Sequence, residues 1–272
     1  MNLYSLNEFG KLKSCMTCIP TYLQILKPIN EKQKINVGKL DRNKAENQHS
    51  LLLKLLNKNN VDIVQIKPLT ELPYQIFTRD IGFVIDDIGF ISKLKKNIRS
   101  NETKCFKNFL SVNKLNFVEL SAFIEGGDVF VHNKIIFIGN SQRTSSKSIE
   151  ELKTYLGKAY KFVFLNFDHR MLHLDCVFNI VDDETVFISN DYFFDKDMLK
   201  EFFVNIINIP LNVTNNLGLN FLPLSTEFYV SSSMYIKNIL FELGKKAEYI
   251  DYSELIKVGG GIRCSILPLD RA

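Results

Sequence analysis

Five cysteines and four histidines supply the strong nucleophiles and neutral-pH acid–base groups of this 272-residue chain, so the search for chemistry is short. Cys264 stands directly behind Gly259-Gly260-Gly261-Ile262-Arg263. Three consecutive glycines cost much chain entropy, which points to a loop whose backbone follows a path that side chains would obstruct. A cysteine closing such a loop can face a ligand, and its thiolate is a strong nucleophile. The lysine and hydroxyl of a phosphate-binding loop are missing. Cys15 and Cys18 form a C-x-x-C with no second pair of ligands beside it, and read as small apolar residues of an early strand. Cys176 reads as core.

His173 lies in Leu172-His173-Leu174-Asp175, where strand alternation would put His173 and Asp175 on one face. Taken alone, such a pair is more often structural than part of a site. His49 sits in what reads as the exposed part of an early helix, and His132 in a hairpin turn. Glu125-Gly126-Gly127-Asp128 sets two carboxylates around a glycine pair at a strand entrance, either an ordinary turn or a close backbone approach.

The elements that must position these groups repeat along the chain. Segments 81–92, 129–139, 176–189 and 219–231 share one plan: apolar strand, tight polar turn, second apolar strand. Helical patterns at 103–113, 145–156 and 232–243 follow three of the hairpins, each leading to a further strand. At the front, 42–59 carries Leu51, Leu52, Leu53, Leu55 and Leu56 on its expected buried face and precedes the strand VDIVQIK. The first hairpin is expected to pair 12–19 with a C-terminal strand around 264–267. About five strand-strand-helix-strand units result, and a repeat of this kind arranges around a pseudo-symmetry axis. The expected fold is α/β, as a single domain over 1–272, because no linker or low-complexity tract interrupts it.

Asp80, Asp128 and Asp175 keep time with the repeat, at intervals of 48 and 47 residues, each just ahead of a hairpin. The placement fits turn chemistry. It equally fits three carboxylates converging on the axis, where only a cation would make their desolvation tolerable.

Composition narrows the function classes. With 46% hydrophobic and 24% charged residues, and a net charge of +4 spread over scattered lysines, the chain reads as an ordinary globular protein rather than a nucleic-acid binder. The longest uncharged stretch, 202–226, is broken by Pro210, Pro223 and six asparagines, which argues against a membrane span. An odd cysteine count without an export signal suggests reduced thiols and a cytoplasmic setting.

Taken in order, Phe77-Thr78-Arg79-Asp80, Glu125-Gly126-Gly127-Asp128-Val129, Gly139-Asn140-Ser141-Gln142-Arg143-Thr144, His173-Leu174-Asp175 and Gly259-Gly260-Gly261-Ile262-Arg263-Cys264 resemble the guanidine-modifying enzyme superfamily. That group includes arginine deiminases, dimethylarginine dimethylaminohydrolases and arginine-glycine amidinotransferases. The resemblance runs nearly end to end and implies the pentein fold, a five-bladed α/β propeller of ββαβ units. It also implies a role for each residue. Cys264 attacks the guanidinium carbon, His173 is the acid and base, and Glu125 orients that histidine. Asp80 grips the guanidinium with Asp175 as a second acceptor, and Phe77 belongs to the same substrate site. Arg143, and with it Arg99, holds the substrate carboxylate.

The expected activity is hydrolysis of a guanidino C–N bond in arginine or a derivative, giving a ureido product with ammonia or an alkylamine. Amidino transfer to an amine acceptor is the alternative within the superfamily, and a non-catalytic propeller that serves as a binding module is the other. Asp175 suits an unmethylated guanidinium, whose free N–H groups need acceptors. The compact length is nearer the dimethylarginine enzymes, and the arginine before Cys264 departs from the commoner histidine. The expected partner is a small guanidino compound, with no nucleic acid and no membrane; dimerisation is left open. No metal or organic cofactor is implied.

Overall fold

The computed structural model describes residues 2–272. Five separate sheets form, and four follow one rule: an antiparallel hairpin, then a third strand added parallel to the hairpin's second. Gly82–Ile85, Ile88–Ile91 and Phe117–Glu119 make one such sheet. Val129–His132, Ile135–Asn140 and Lys161–Asn166 make the next, followed by Phe178–Ile180, Thr185–Ile188 and Asn205–Asn208. Leu222–Pro223, Phe228–Ser231 and Lys246–Tyr249 make the fourth. Parallel strands need a crossover. Helices Lys104–Val112, Lys147–Leu156 and Met234–Glu242 provide three of these, while a 3-10 turn at Met198–Glu201 serves the remaining sheet.

The fifth sheet joins distant parts of the chain. Leu12–Cys18 pairs antiparallel with Leu267–Arg271 and parallel with Asp62–Ile66, and Tyr4–Ser5 adds along Leu267–Arg271. The last strand therefore begins at Leu267, three residues beyond Cys264, which sits in the turn before it. That differs from the expected strand around 264–267.

Helix Arg42–Lys58 is capped by Asp41, whose carboxylate accepts from the Lys44 N–H. Its core face is Ala45, Gln48, His49, Leu52 and Leu56; Leu51 points away at 50% exposure. His49, expected on the exposed part, is fully buried and meets the Thr17 hydroxyl at 3.1 Å. Burial lowers its pKa to about 4, so it packs as a neutral ring. His132 ends a strand and is buried as well, leaving the turn to Asn133 and Lys134.

Apolar clusters fill the spaces between neighbouring sheets. In one, Phe130 and Phe178 meet edge to face with ring centres 5.0 Å apart. Cys15, Cys18 and Cys176 are buried. Among the described residues, no helix is long and apolar enough to cross a membrane.

Candidate active site

Four 3-10 turns, Thr78–Ile81, Gly126–Asp128, Leu174–Cys176 and Arg263–Ser265, stand at the entrances to four sheets and carry Asp80, Asp128, Asp175 and Cys264. The first packs on the second and the fourth, and the second on the third, which gathers residues remote in sequence. His173 thus precedes a turn and Asp175 sits within it, rather than the two alternating along a strand, yet both are buried in the site.

His173 is the best-defined group. Its Nε2 lies 2.8 Å from Glu125 Oε2 and its Nδ1 3.6 Å from Asp80 Oδ1. Burial opposes a charged imidazole, but Asp80, Asp128 and Glu125 outweigh it and raise the His173 pKa to about 10. Burial also works against an ionised Glu125. The hydrogen bond from His173, with the Arg143 and Arg99 charges, nevertheless holds its carboxyl well below the usual range. Gly127 lets these parts close: a Cβ there would meet His173 Nδ1 at 2.8 Å and Asp80 Oδ1 at 3.0 Å.

Arg99 donates to Asp80 at 2.6 Å, to Glu102 at 2.8 and 3.0 Å and to the Phe77 carbonyl at 3.2 Å. Arg143 donates to both Glu125 oxygens at 3.2 and 3.3 Å and to the Ile29 carbonyl at 3.4 Å. Both arginines are buried, so each is an internal partner of the carboxylates that surround the histidine. Asp80 Oδ1, by contrast, is buried with no hydrogen-bond donor.

The three periodic aspartates separate into two kinds. Asp128 is saturated, accepting from Ser141, Thr144 and the Leu174 N–H, and so ties the Arg143 and His173 segments together. Asp175 faces sulfur: its Oδ2 lies 3.7 Å from Cys264 Sγ and its Oδ1 3.6 Å from Cys176 Sγ. Burial raises the Asp175 pKa, with His173 and Arg263 pulling the other way. Burial, and then Asp175 and Asp80, push the Cys264 thiol well above its ordinary value, which favours the neutral thiol.

Phe77, Asp80, Arg99, Arg143, His173 and Cys264 line a narrow, partly open cavity of about 10 Å3, room for the centre of a single water molecule. Ile29, Asn30 and Gln33 also line it. Tyr74 donates its hydroxyl to the Lys27 carbonyl and Gln33 Oε1, and Asn30 and Gln33 donate to the Val258 carbonyl. An open cleft of about 930 Å3 lies outside, sharing Ile29, Asn30, Arg143 and Leu172 with the cavity. Asp80, Glu125 and His173 also bring ligand atoms within 4.8 Å of one another, a trio that sequence spacing does not show and that a divalent cation could use. Arg99 and Arg143 already oppose such an ion electrostatically.

Sequence reasoning passed over Glu8, Asn220 and Glu102. Glu8 receives Arg79 at 3.0 Å and Arg263 at 2.8 Å, beneath the turn that carries Cys264. The pull of these arginines outweighs the cost of burying Glu8 and lowers its pKa to about 2. Asn220 carried a signal, since it continues the aspartate spacing at 45 residues beyond Asp175 and 44 before Cys264.

The chain belongs to the N,N dimethylarginine dimethylhydrolase (eukaryotic) family, whose model matches residues 24–271, within the pentein superfamily of guanidine-modifying enzymes. It is 34% identical over 270 residues to Bacillus subtilis (strain 168) YkgA, covering 97% of this chain and 94% of that one. The N-terminal domain of ArgZ, an arginine dihydrolase from the ornithine–ammonia cycle in cyanobacteria, superimposes with a TM-score of 0.88 at 20% identity, over 96% of this chain and 98% of that one. The amidinotransferase SxtG from Microseira wollei gives 0.81 at 16% identity, over 99% and 97%. The chain spans 39% of the length of another structural relative, AgrE.

Proposed function

We propose that this protein hydrolyses a guanidino C–N bond of arginine or a close derivative, with Cys264 as nucleophile. The observation that supports it best is Asp80 Oδ1, an acceptor with no hydrogen bond and only the His173 ring at 3.6 Å, on a cavity lined also by Cys264 and by a His173 held in its acid form. A planar cation bearing N–H donors satisfies that acceptor, and Asp175 provides a second carboxylate close to the sulfur. The five sheets are read as the blades of one closed propeller, a single domain with these turns at its axis.

Binding of the guanidinium favours ionisation of the Cys264 thiol, whose proton leaves the site. The thiolate attacks the guanidinium carbon. His173 then gives its proton to the departing nitrogen, and ammonia or an alkylamine leaves a thiouronium on Cys264. The now neutral imidazole takes a proton from water, the hydroxide adds to the same carbon, and the C–S bond breaks to release a ureido product. Glu125 keeps the imidazole oriented and compensates its charge. Asp80 and Asp175 hold the guanidinium, and Phe77 walls the cavity beside it. Arg143, which also lines the outer cleft, is the reading for the substrate's carboxylate, with Arg99 bracing Asp80. Two carboxylate acceptors favour free N–H groups over methylated nitrogen.

Purified protein is incubated with arginine, dimethylarginine and agmatine, and ureido product is assayed. Mass spectrometry should find a substrate-derived adduct on Cys264 and none in Cys264→Ser. Turnover of none of the three compounds, or unchanged turnover in Cys264→Ser, removes the proposal.

A further inference from the structure

We infer that Asn220 is a positioning residue for the nucleophile, a buried amide that locks the Cys264 turn to the Asp175 turn. The inference rests on Cys264 being the nucleophile proposed above.

Asn220 stands two residues ahead of strand Leu222–Pro223 and is fully buried. Both ends of its side chain are used, on two different turns. Its Oδ1 accepts from the Cys264 backbone N–H at 3.1 Å, and its Nδ2 donates to the Asp175 carbonyl at 3.2 Å. Its own carbonyl accepts from the Arg263 N–H at 3.2 Å. One residue therefore fixes the backbone on both sides of the pair whose side chains meet, Cys264 Sγ and Asp175 Oδ2 at 3.7 Å.

The glycine loop is shaped around this amide. A Cβ on Gly261 would fall 2.6 Å from Asn220 Oδ1, so the loop passes close only because no side chain is present. The chemical type matters as well. Asp80, Asp128 and Asp175 occupy the corresponding positions in three other sheets, and Cys264 in the fifth. A carboxylate at 220 would lose the donor to the Asp175 carbonyl and set a third negative charge near the sulfur. An amide supplies donor and acceptor without charge.

The test uses Asn220→Ala and Asn220→Asp in the full chain, with two readouts. Steady-state turnover of whichever guanidino compound is a substrate separates kcat from KM. Iodoacetamide alkylation of the peptide containing Cys264, followed by mass spectrometry across pH, reads the thiol without needing turnover. In Asn220→Ala, kcat should fall about tenfold or more with KM within about twofold of wild type, as expected for losing an oriented hydrogen-bonded link. In Asn220→Asp, which keeps the acceptor for the Cys264 N–H, the alkylation midpoint should move up by about one pH unit. If Asn220→Ala does not fold, Asn220→Asp carries the test through its alkylation midpoint. Wild-type kcat in Asn220→Ala, or an alkylation midpoint in Asn220→Asp that coincides with wild type, overturns the inference even if melting temperature drops. Failure of wild-type protein to turn over any guanidino compound removes the proposed function, and the alkylation profiles still report on Asn220.

Discussion

His173 Nε2 and Glu125 Oε2 lie 2.8 Å apart although 48 residues separate them in the chain, and both groups are buried. The other ring nitrogen, Nδ1, lies 3.6 Å from Asp80 Oδ1, so a carboxylate stands near each imidazole nitrogen. The pair is held by two turns that Asp128 binds together, since Asp128 sits in the Glu125 turn and accepts from the Leu174 N–H.

Replacing Glu125 by Gln should lower kcat by roughly a hundredfold or more, because the imidazole loses both its orienting acceptor and the charge that stabilises its acid form. Arg143 loses its ion-pair partner in the same variant, so melting temperature should fall. Stopped-time ureido assays and a thermal melt measure the two effects. A variant with wild-type kcat would refute the orienting role.

Asp80→Asn should reduce kcat/KM by at least about tenfold, since a guanidinium gains more from a carboxylate than from an amide. Arg99 retains Glu102, so the fold is expected to survive. Comparing arginine with dimethylarginine in this variant shows whether Asp80 discriminates between them.

Stability should depend on pH in a definite sense. The His173 pKa is raised to about 10 from its ordinary 6.5, so its contribution is complete below about pH 6.5 and is lost as pH climbs towards 10. Glu125 has a lowered pKa, so its contribution is present above the usual carboxylate range and is lost as pH falls through the lowered value. Thermal melts between these limits should show the alkaline decline shrinking in His173→Gln. For activity, the raised Cys264 thiol places the rising limb of kcat/KM on the alkaline side of neutrality.

Tyr74→Phe removes the hydroxyl that donates to the Lys27 carbonyl and Gln33. The loss should cost roughly 1 kcal/mol, felt locally at residues 27–36. Hydrogen exchange should quicken in that segment while strand Leu267–Arg271 keeps its protection. Equal change in both would contradict a local effect.

The repeat was legible because alternating strands and acidic turns need only neighbouring residues to declare themselves. Leu172-His173-Leu174-Asp175 shows the same alternation yet leads into a turn, stabilised by Asp128, a residue far away in sequence. His49 follows a run of polar residues, yet the helix turns it towards Thr17 beside Leu52 and Leu56. Leu51, one position from the buried Leu52, shows that a leucine run is sorted by angle rather than by hydrophobicity. The side chains of Glu8 and Asn220 find their partners far away in sequence, at Arg79, Arg263 and Cys264, which only the tertiary arrangement brings near. The carboxylate partner of Arg143 is likewise distant in sequence, and that of Arg99 is set by how its turn folds.

The pairing of Leu12–Cys18 with Leu267–Arg271 has a temporal consequence. Four sheets take all their strands from contiguous stretches, so each can form as its own stretch leaves the ribosome. The fifth waits for a partner some 250 residues later, a closure that folding reaches late because the intervening chain must first be ordered. Cys264 lies in the turn that this last strand pulls into place. A nascent polypeptide thus holds the turns of Asp80 and Asp175 before the turn of Cys264 is seated.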